Sequence, residues 1–217
     1  MERGRAIAIV AGLGIAVLLA FGVDLWSGRE QSNRQFDFFG ATRPTQFAES
    51  PARGAEDPDV VMYEYADFGC SHCAEFQAVV SRVASTHGAR VRLVWKDFPF
   101  LSQASKDAAV AARCAHKQGT FWEYANWLFA NQGLVGDERS LSYQDINSSL
   151  DAGAQLDIPA FQACRDDATI HALVERDIAE GRALGITETP TLVIGDVALV
   201  GAQTFEEVER FLAPLLK

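Results

Sequence analysis

Glu64-Tyr65-Ala66-Asp67-Phe68-Gly69-Cys70-Ser71-His72-Cys73 is the stretch on which the reading of this chain turns. Val60 to Tyr65 is a short run rich in β-branched and aromatic residues, suited to a central strand. Beyond Gly69 the apolar residues Cys73, Phe76, Val79, Val80 and Val83 recur at helical spacing, so the two cysteines stand where a strand becomes a helix. At that junction unpaired backbone N–H groups and the positive helix end favour a thiolate on Cys70. Cys73, one turn inside the helix, is expected to be the buried resolving thiol. His72 would add to thiolate stabilisation if protonated or donating a hydrogen bond to the sulfur. A Cys-x-x-Cys pair also serves zinc sites, but zinc needs a second ligand pair, and the remaining cysteines are singletons far apart. Redox chemistry is the better account of the motif.

Val91 to Trp95 reads as the next strand and completes a βαβ unit. The stretch 102–184 reads as almost wholly helical. Thr191–Ile194 and Val197–Val200 flank Gly195-Asp196, a two-residue hairpin turn. Thr204 and Glu207 form a capping-box pattern that opens a last helix. Glu64, six positions before Cys70, is placed to relay a proton to or from Cys73 if its strand is central, and to face solvent if it lies at the strand end. Asp67, Glu75 and Lys96 read as surface residues, and His87, His116 and His171 as solvent-exposed.

The active-site segment Glu64 to Cys73 resembles that of the DsbA-like thioredoxin-fold oxidoreductases, as do Lys96-Asp97-Phe98-Pro99, Ala112 to Trp122 and Thr189-Pro190-Thr191. The resemblance runs over about 58–216 in the family's order. It implies an α/β thioredoxin-like fold with a helical insertion between the βαβ half and the C-terminal ββα half. It implies that Cys70 forms the mixed disulfide, that Cys73 is its partner, and that Pro190 is a cis-proline facing the disulfide. Two departures leave the direction of electron flow open: Ser71 stands where the best-known DsbA has proline, and Thr189 occurs in reductases and isomerases as well as oxidases.

The N-terminus sets the expected compartment. Arg3 and Arg5 precede Ala6 to Val23, eighteen consecutive apolar or glycine residues. Such a helix is about 27 Å long, close to the hydrocarbon thickness of a bilayer. The expectation is an anchor over 1–26, with an export signal as the alternative. Either way the domain at 58–217 would lie outside the cytoplasm, in the periplasm, after a linker at 27–57 that could contribute an edge strand near Phe36–Phe39. There disulfides persist, and Cys114 and Cys164 read either as a second, structural bridge or as two buried thiols. With a formal charge of −10 and no basic cluster after the first five residues, nucleic acid is not an expected partner. No metal or nucleotide motif is present, so no cofactor is expected.

The expected function is a thiol oxidase that forms disulfides in exported proteins carrying cysteines. By the resemblance it would be reoxidised by a membrane quinone-linked protein. A reductase or isomerase using the same cysteines, or a non-catalytic chaperone using the Pro190 groove, are the alternatives.

Overall fold

A computed structural model describes residues 34–37, 43–135, 143–150 and 153–216. The apolar run at 6–23 lies outside the described residues. Among those described, no helix is long and apolar enough to cross a membrane. The chain divides into two compact units, Met1–Arg34 and Gln35–Lys217, and the second contains all four cysteines.

The strands are β1 (Arg34–Asp37), β2 (Ala52–Gly54), β3 (Val60–Ala66), β4 (Val91–Asp97), β5 (Thr191–Ile194) and β6 (Val197–Val200). They form one sheet in the order β1-β6-β5-β3-β4-β2, so β3 is interior, as its composition predicts. β3 runs parallel to β4, with Glu64 opposite Trp95 and Tyr65 opposite Lys96. β3 runs antiparallel to β5, with Glu64 opposite Leu192. The parallel pair is joined by α1 (Ser71–Thr86). The hairpin turn forms as expected, with Gly195 at φ +58°, a conformation that favours glycine.

Between β4 and β5 lie α2 (Gln103–Lys117), α3 (Phe121–Ala130), α4 (Tyr143–Ser149), α5 (Ile158–Arg165) and α6 (Ala168–Ala183). This is the helical insertion anticipated at 102–184. Its starts are written locally: the Ser102 side chain accepts from Ser105 N–H, Asp157 from Ala160 N–H, and Asp167 from Thr169 N–H. The last helix, α7 (Phe205–Leu212), carries the capping box, with Thr204 N–H donating to Glu207 Oε2 at 2.7 Å.

Strand periodicity sorts the sheet into two faces. Met62, Leu93, Leu192 and Ile194 pack with Phe76, Val80 and Val83 of α1 and with Val208 and Leu212 of α7. Tyr65 and Val193 face the opposite way and pack with Phe98, Leu184 and Ile186. There α6 comes close enough that a Cβ at Gly181 would meet Phe98 Cε2 at 2.7 Å, so glycine is required by space alone.

Of the linker expected at 27–57, residues 43–57 are built into the fold, while 27–33 and 38–42 lie outside the described residues. Ala52–Gly54 pairs with β4 and closes one edge of the sheet. Upstream, Thr45 N–H donates to Glu180 and the Glu49 carbonyl accepts from Arg113. Its proline and glycine content matches a spacer, but its backbone groups find partners in the fold. β1, which overlaps the Phe36–Phe39 expectation, takes the other edge.

Candidate active site

Cys70 is the N-cap of α1, with extended backbone angles, and Cys73 lies in the first turn. Both are thiols in this structure. Cys73 is fully buried and Cys70 is 8% exposed, which leaves one sulfur approachable and the other behind it. The two titrate in opposite directions. The Cys70 thiol is lowered to about 5, foremost by its hydrogen bond with the Cys73 thiol, then by Thr189 and the backbone N–H groups of Cys73 and His72, against an opposing burial. Burial pushes the Cys73 thiol well up, reinforced by the neighbouring Cys70 sulfur.

The Thr189–Pro190 peptide is cis and sets the Thr189 carbonyl 3.5 Å from Cys70 Sγ. A carbonyl accepts and does not donate, so this contact serves the protonated sulfur. The buried Thr189 hydroxyl, which has no other partner among the described residues, is the nearby group able to donate to the thiolate.

His72 does not reach the sulfur. Its side chain is 68% exposed and its Nδ1 lies 3.5 Å from Glu75 Oε2. At this position the backbone N–H, not the imidazole, acts on Cys70, because the first turn of α1 aims its free amides at the sulfur while the side chain projects to solvent. Glu75 is exposed, as the sequence suggests.

Asp67 and Lys96 correct the expectation of surface positions. Asp67 is buried, and its carboxylate accepts from Gly69 N–H at 2.7 Å and from Phe100 and Leu101 N–H, each at 3.1 Å. One side chain thus fixes both the turn before Cys70 and the loop after β4, and orders the exposed Phe100 and Leu101 beside the site. Lys96 is fully buried between Asp177 (3.2 Å) and Glu180 (2.7 Å). Charge alone suggests solvent, and the carboxylates that overrule it arrive from α6, about eighty positions later. Of the histidines, His171 is exposed, whereas His87 is partly buried against Glu209 at 2.9 Å. His116 packs edge-on against Phe121, and burial lowers its basicity.

Glu64 is wholly buried beneath α1, and Gln77 donates to both its oxygens, at 3.0 and 3.2 Å. Burial raises its carboxyl to about 7, with the charge of Arg53 and the Gln77 hydrogen bonds acting against that rise. Gln77 follows Cys73 by one helical turn, so the side chain that holds the acid and the buried sulfur share one stripe of α1.

Gln132 carried no signal in the sequence. Its Nε2 donates to the carbonyls of Phe68 (2.9 Å) and Cys70 (2.7 Å), tying the helical insertion to the catalytic turn. Within the insertion, Cys114 and Cys164 are joined by a disulfide, with Cα atoms 5.7 Å apart.

A thioredoxin family model matches residues 47–213. Among curated proteins, the chain is 30% identical over 160 residues to a Na(+)/H(+) antiporter NhaA of Herminiimonas arsenicoxydans, an alignment that covers 74% of this chain and 24% of that protein. The chain therefore spans about a quarter of that relative's length. Among solved structures, the thiol-disulfide exchange protein alpha-DsbA2 of Wolbachia pipientis superposes with a TM-score of 0.68 at 23% identity, covering 77% of this chain and 88% of that one. A thioredoxin-like oxidoreductase from Silicibacter pomeroyi gives a TM-score of 0.66 at 24% identity, with coverages of 76% and 90%. With its match running from the segment before β2 into the turn after α7, this chain belongs to the thioredoxin family and has the DsbA-like form of its fold.

Proposed function

We propose that the protein is a thiol–disulfide oxidoreductase that donates the Cys70–Cys73 disulfide to cysteine pairs in exported proteins. The observation that carries this is the opposed tuning of the two sulfurs, an ionised Cys70 at the helix N-cap against a buried, protonated Cys73. A substrate thiolate attacks Cys70 Sγ of the enzyme disulfide and Cys73 departs. Because the Cys73 thiolate is a poor leaving group, its departure needs a proton, and Glu64 is the nearby acid suited to give one near neutral pH. The substrate's second thiolate then attacks the mixed disulfide, and Cys70 leaves as a stable thiolate. Two electrons pass from the substrate pair to the enzyme pair. Of the two substrate protons, one ends on Cys73 and the other in solvent.

Stabilising the Cys70 thiolate stabilises the dithiol form, and so makes the disulfide more oxidising. That favours an oxidase over a reductase. The apolar run Ala6–Val23 favours a site of action outside the cytoplasm, where substrates acquire disulfides and a membrane-bound, quinone-linked protein would restore the enzyme disulfide. The test is the reduction potential of Cys70–Cys73 in glutathione buffers, followed by alkylation and mass analysis with Cys114–Cys164 intact. A potential above the roughly −180 mV of protein disulfide isomerase is expected, and one near the roughly −270 mV of thioredoxin overturns the oxidase. Full activity in a Cys70→Ser variant would instead make the protein a binding module.

A further inference from the structure

We propose that Arg53, on the edge strand β2, is the electrostatic partner of Glu64, and that its charge keeps this buried carboxyl able to release and regain a proton. The inference rests on Glu64 being the proton donor to Cys73.

The geometry begins with register. Arg53 pairs with Leu93 of β4, and Leu93 pairs with Met62 of β3. Cross-strand partners share a face, and Glu64 lies two residues beyond Met62, so Arg53 and Glu64 are on the same side of the sheet. That side is covered by α1, on which Cys73, Gln77 and Ser81 follow one another at four-residue spacing. Each member of this stripe holds one part of the arrangement. Cys73 is the buried sulfur, Gln77 donates to both Glu64 oxygens, and the Ser81 hydroxyl accepts from Arg53 at 2.8 Å. The Arg53 guanidinium is further fixed over the Trp122 ring of α3, 4.1 Å from its centroid. Among the described residues its buried Nε has no hydrogen-bond partner, so the guanidinium is incompletely compensated there.

Among the described residues, the other groups around Glu64 leave Arg53 as the cation that acts on it. β5 contributes Leu192 and Ile194, and β4 contributes Leu93 and Trp95. Asp97, farther along β4, is paired with Arg113 at 2.5 Å. Lys96 points to the opposite face and is held there by Asp177 and Glu180. From α3, Glu123 acts on Arg53 in the same sense as Glu64. The cation that offsets the burial of Glu64 is thus supplied by a three-residue edge strand.

The test is a carboxyl-carbon NMR titration of Glu64 in the full-length reduced protein, with the signal assigned through Glu64→Gln. In Arg53→Met, which retains the aliphatic stem over Trp122, the Glu64 midpoint should rise by about one pH unit, a tenfold change in the ionised-to-protonated ratio. Arg53→Lys keeps the charge and loses the guanidinium stack, so it should restore the native midpoint. A purely structural role would make the two variants alike. An unchanged midpoint in Arg53→Met overturns the proposal, as does a Lys variant that titrates like Met. The pH profile of disulfide exchange separates this from the role of Glu64: if the carboxyl midpoint moves and the profile does not, Arg53 is the partner of Glu64 and the proton-donor reading fails.

Discussion

Two regions around the central strand bury charge in different ways. Beneath α1, Glu64 is held by a neutral amide and by one cation reaching over from the sheet edge, and its carboxyl sits near 7. On the far side and at the strand ends, Lys96 and Arg113 are enclosed by Asp97, Asp177 and Glu180. In that cluster each charge has a direct partner, and polar neighbours take up further oxygens: Trp95 Nε1–H donates to Asp97 at 2.7 Å and Tyr65 O–H to Glu180 at 2.8 Å. Fully paired charges fix geometry: the cluster joins α2 and α6 to β4, and its desolvation cost absorbs most of its Coulombic gain. A partly compensated carboxyl remains a group whose proton can move. The first arrangement suits chemistry and the second suits architecture, although Asp97 shares a face with Glu64 and Lys96 is separated from it only by the thickness of one sheet.

The largest effect should come from breaking the paired cluster. Arg113→Met leaves Asp97 and Asp177 buried without their cation, and should cost about 3–5 kcal/mol in urea unfolding. The pH profile of exchange should not change, and a shift in it would mean the two regions are not independent.

Glu64→Gln acts on the other region with the opposite sign. A carboxyl whose folded value is raised destabilises the fold as pH climbs from its ordinary value towards 7, and the penalty is constant above that. The variant should therefore match the parent near pH 4, then gain stability with rising pH, up to about 3 kcal/mol at pH 8. It should also exchange disulfides more slowly. A stability difference independent of pH would show that the native carboxyl does not titrate near 7.

Asp67→Asn is the smallest of these changes. The amide can still accept from Gly69, but it can turn only an N–H towards Phe100 and Leu101. A loss of about 1–2 kcal/mol is expected. Faster hydrogen exchange at the Phe100 and Leu101 amides would locate it, and unchanged protection there would remove Asp67 as the latch.

Local sequence carried much of this fold. The strands at 191–194 and 197–200 were legible to the residue, because alternation, a Gly-Asp turn and β-branched side chains all point the same way. The capping box at Thr204 is likewise local, its two hydrogen bonds spanning three positions. Strand β2 was not legible: three residues after a proline carry too little pattern, and its pairing is licensed only by the exposed edge of β4. At the site, Cys70 and Cys73 were marked by their spacing and by the strand-to-helix switch. Arg53, Gln77 and Gln132 were not, because a lone arginine or glutamine has no periodicity that distinguishes a buried role from a solvated one.

From the sequence alone come the order of elements from β3 onward, the position of the dithiol at a helix start and the presence of an acid six residues before it. These follow from interactions between residues near in the chain. The tertiary structure alone decided which charges are buried and with whom. Lys96 meets Asp177 across 81 positions, Cys70 meets Thr189 across 119, and Gln132 meets the catalytic turn across more than sixty. The cost of burying a charge depends on partners that only folding assembles, so the proton affinities that set the chemistry arise at that level.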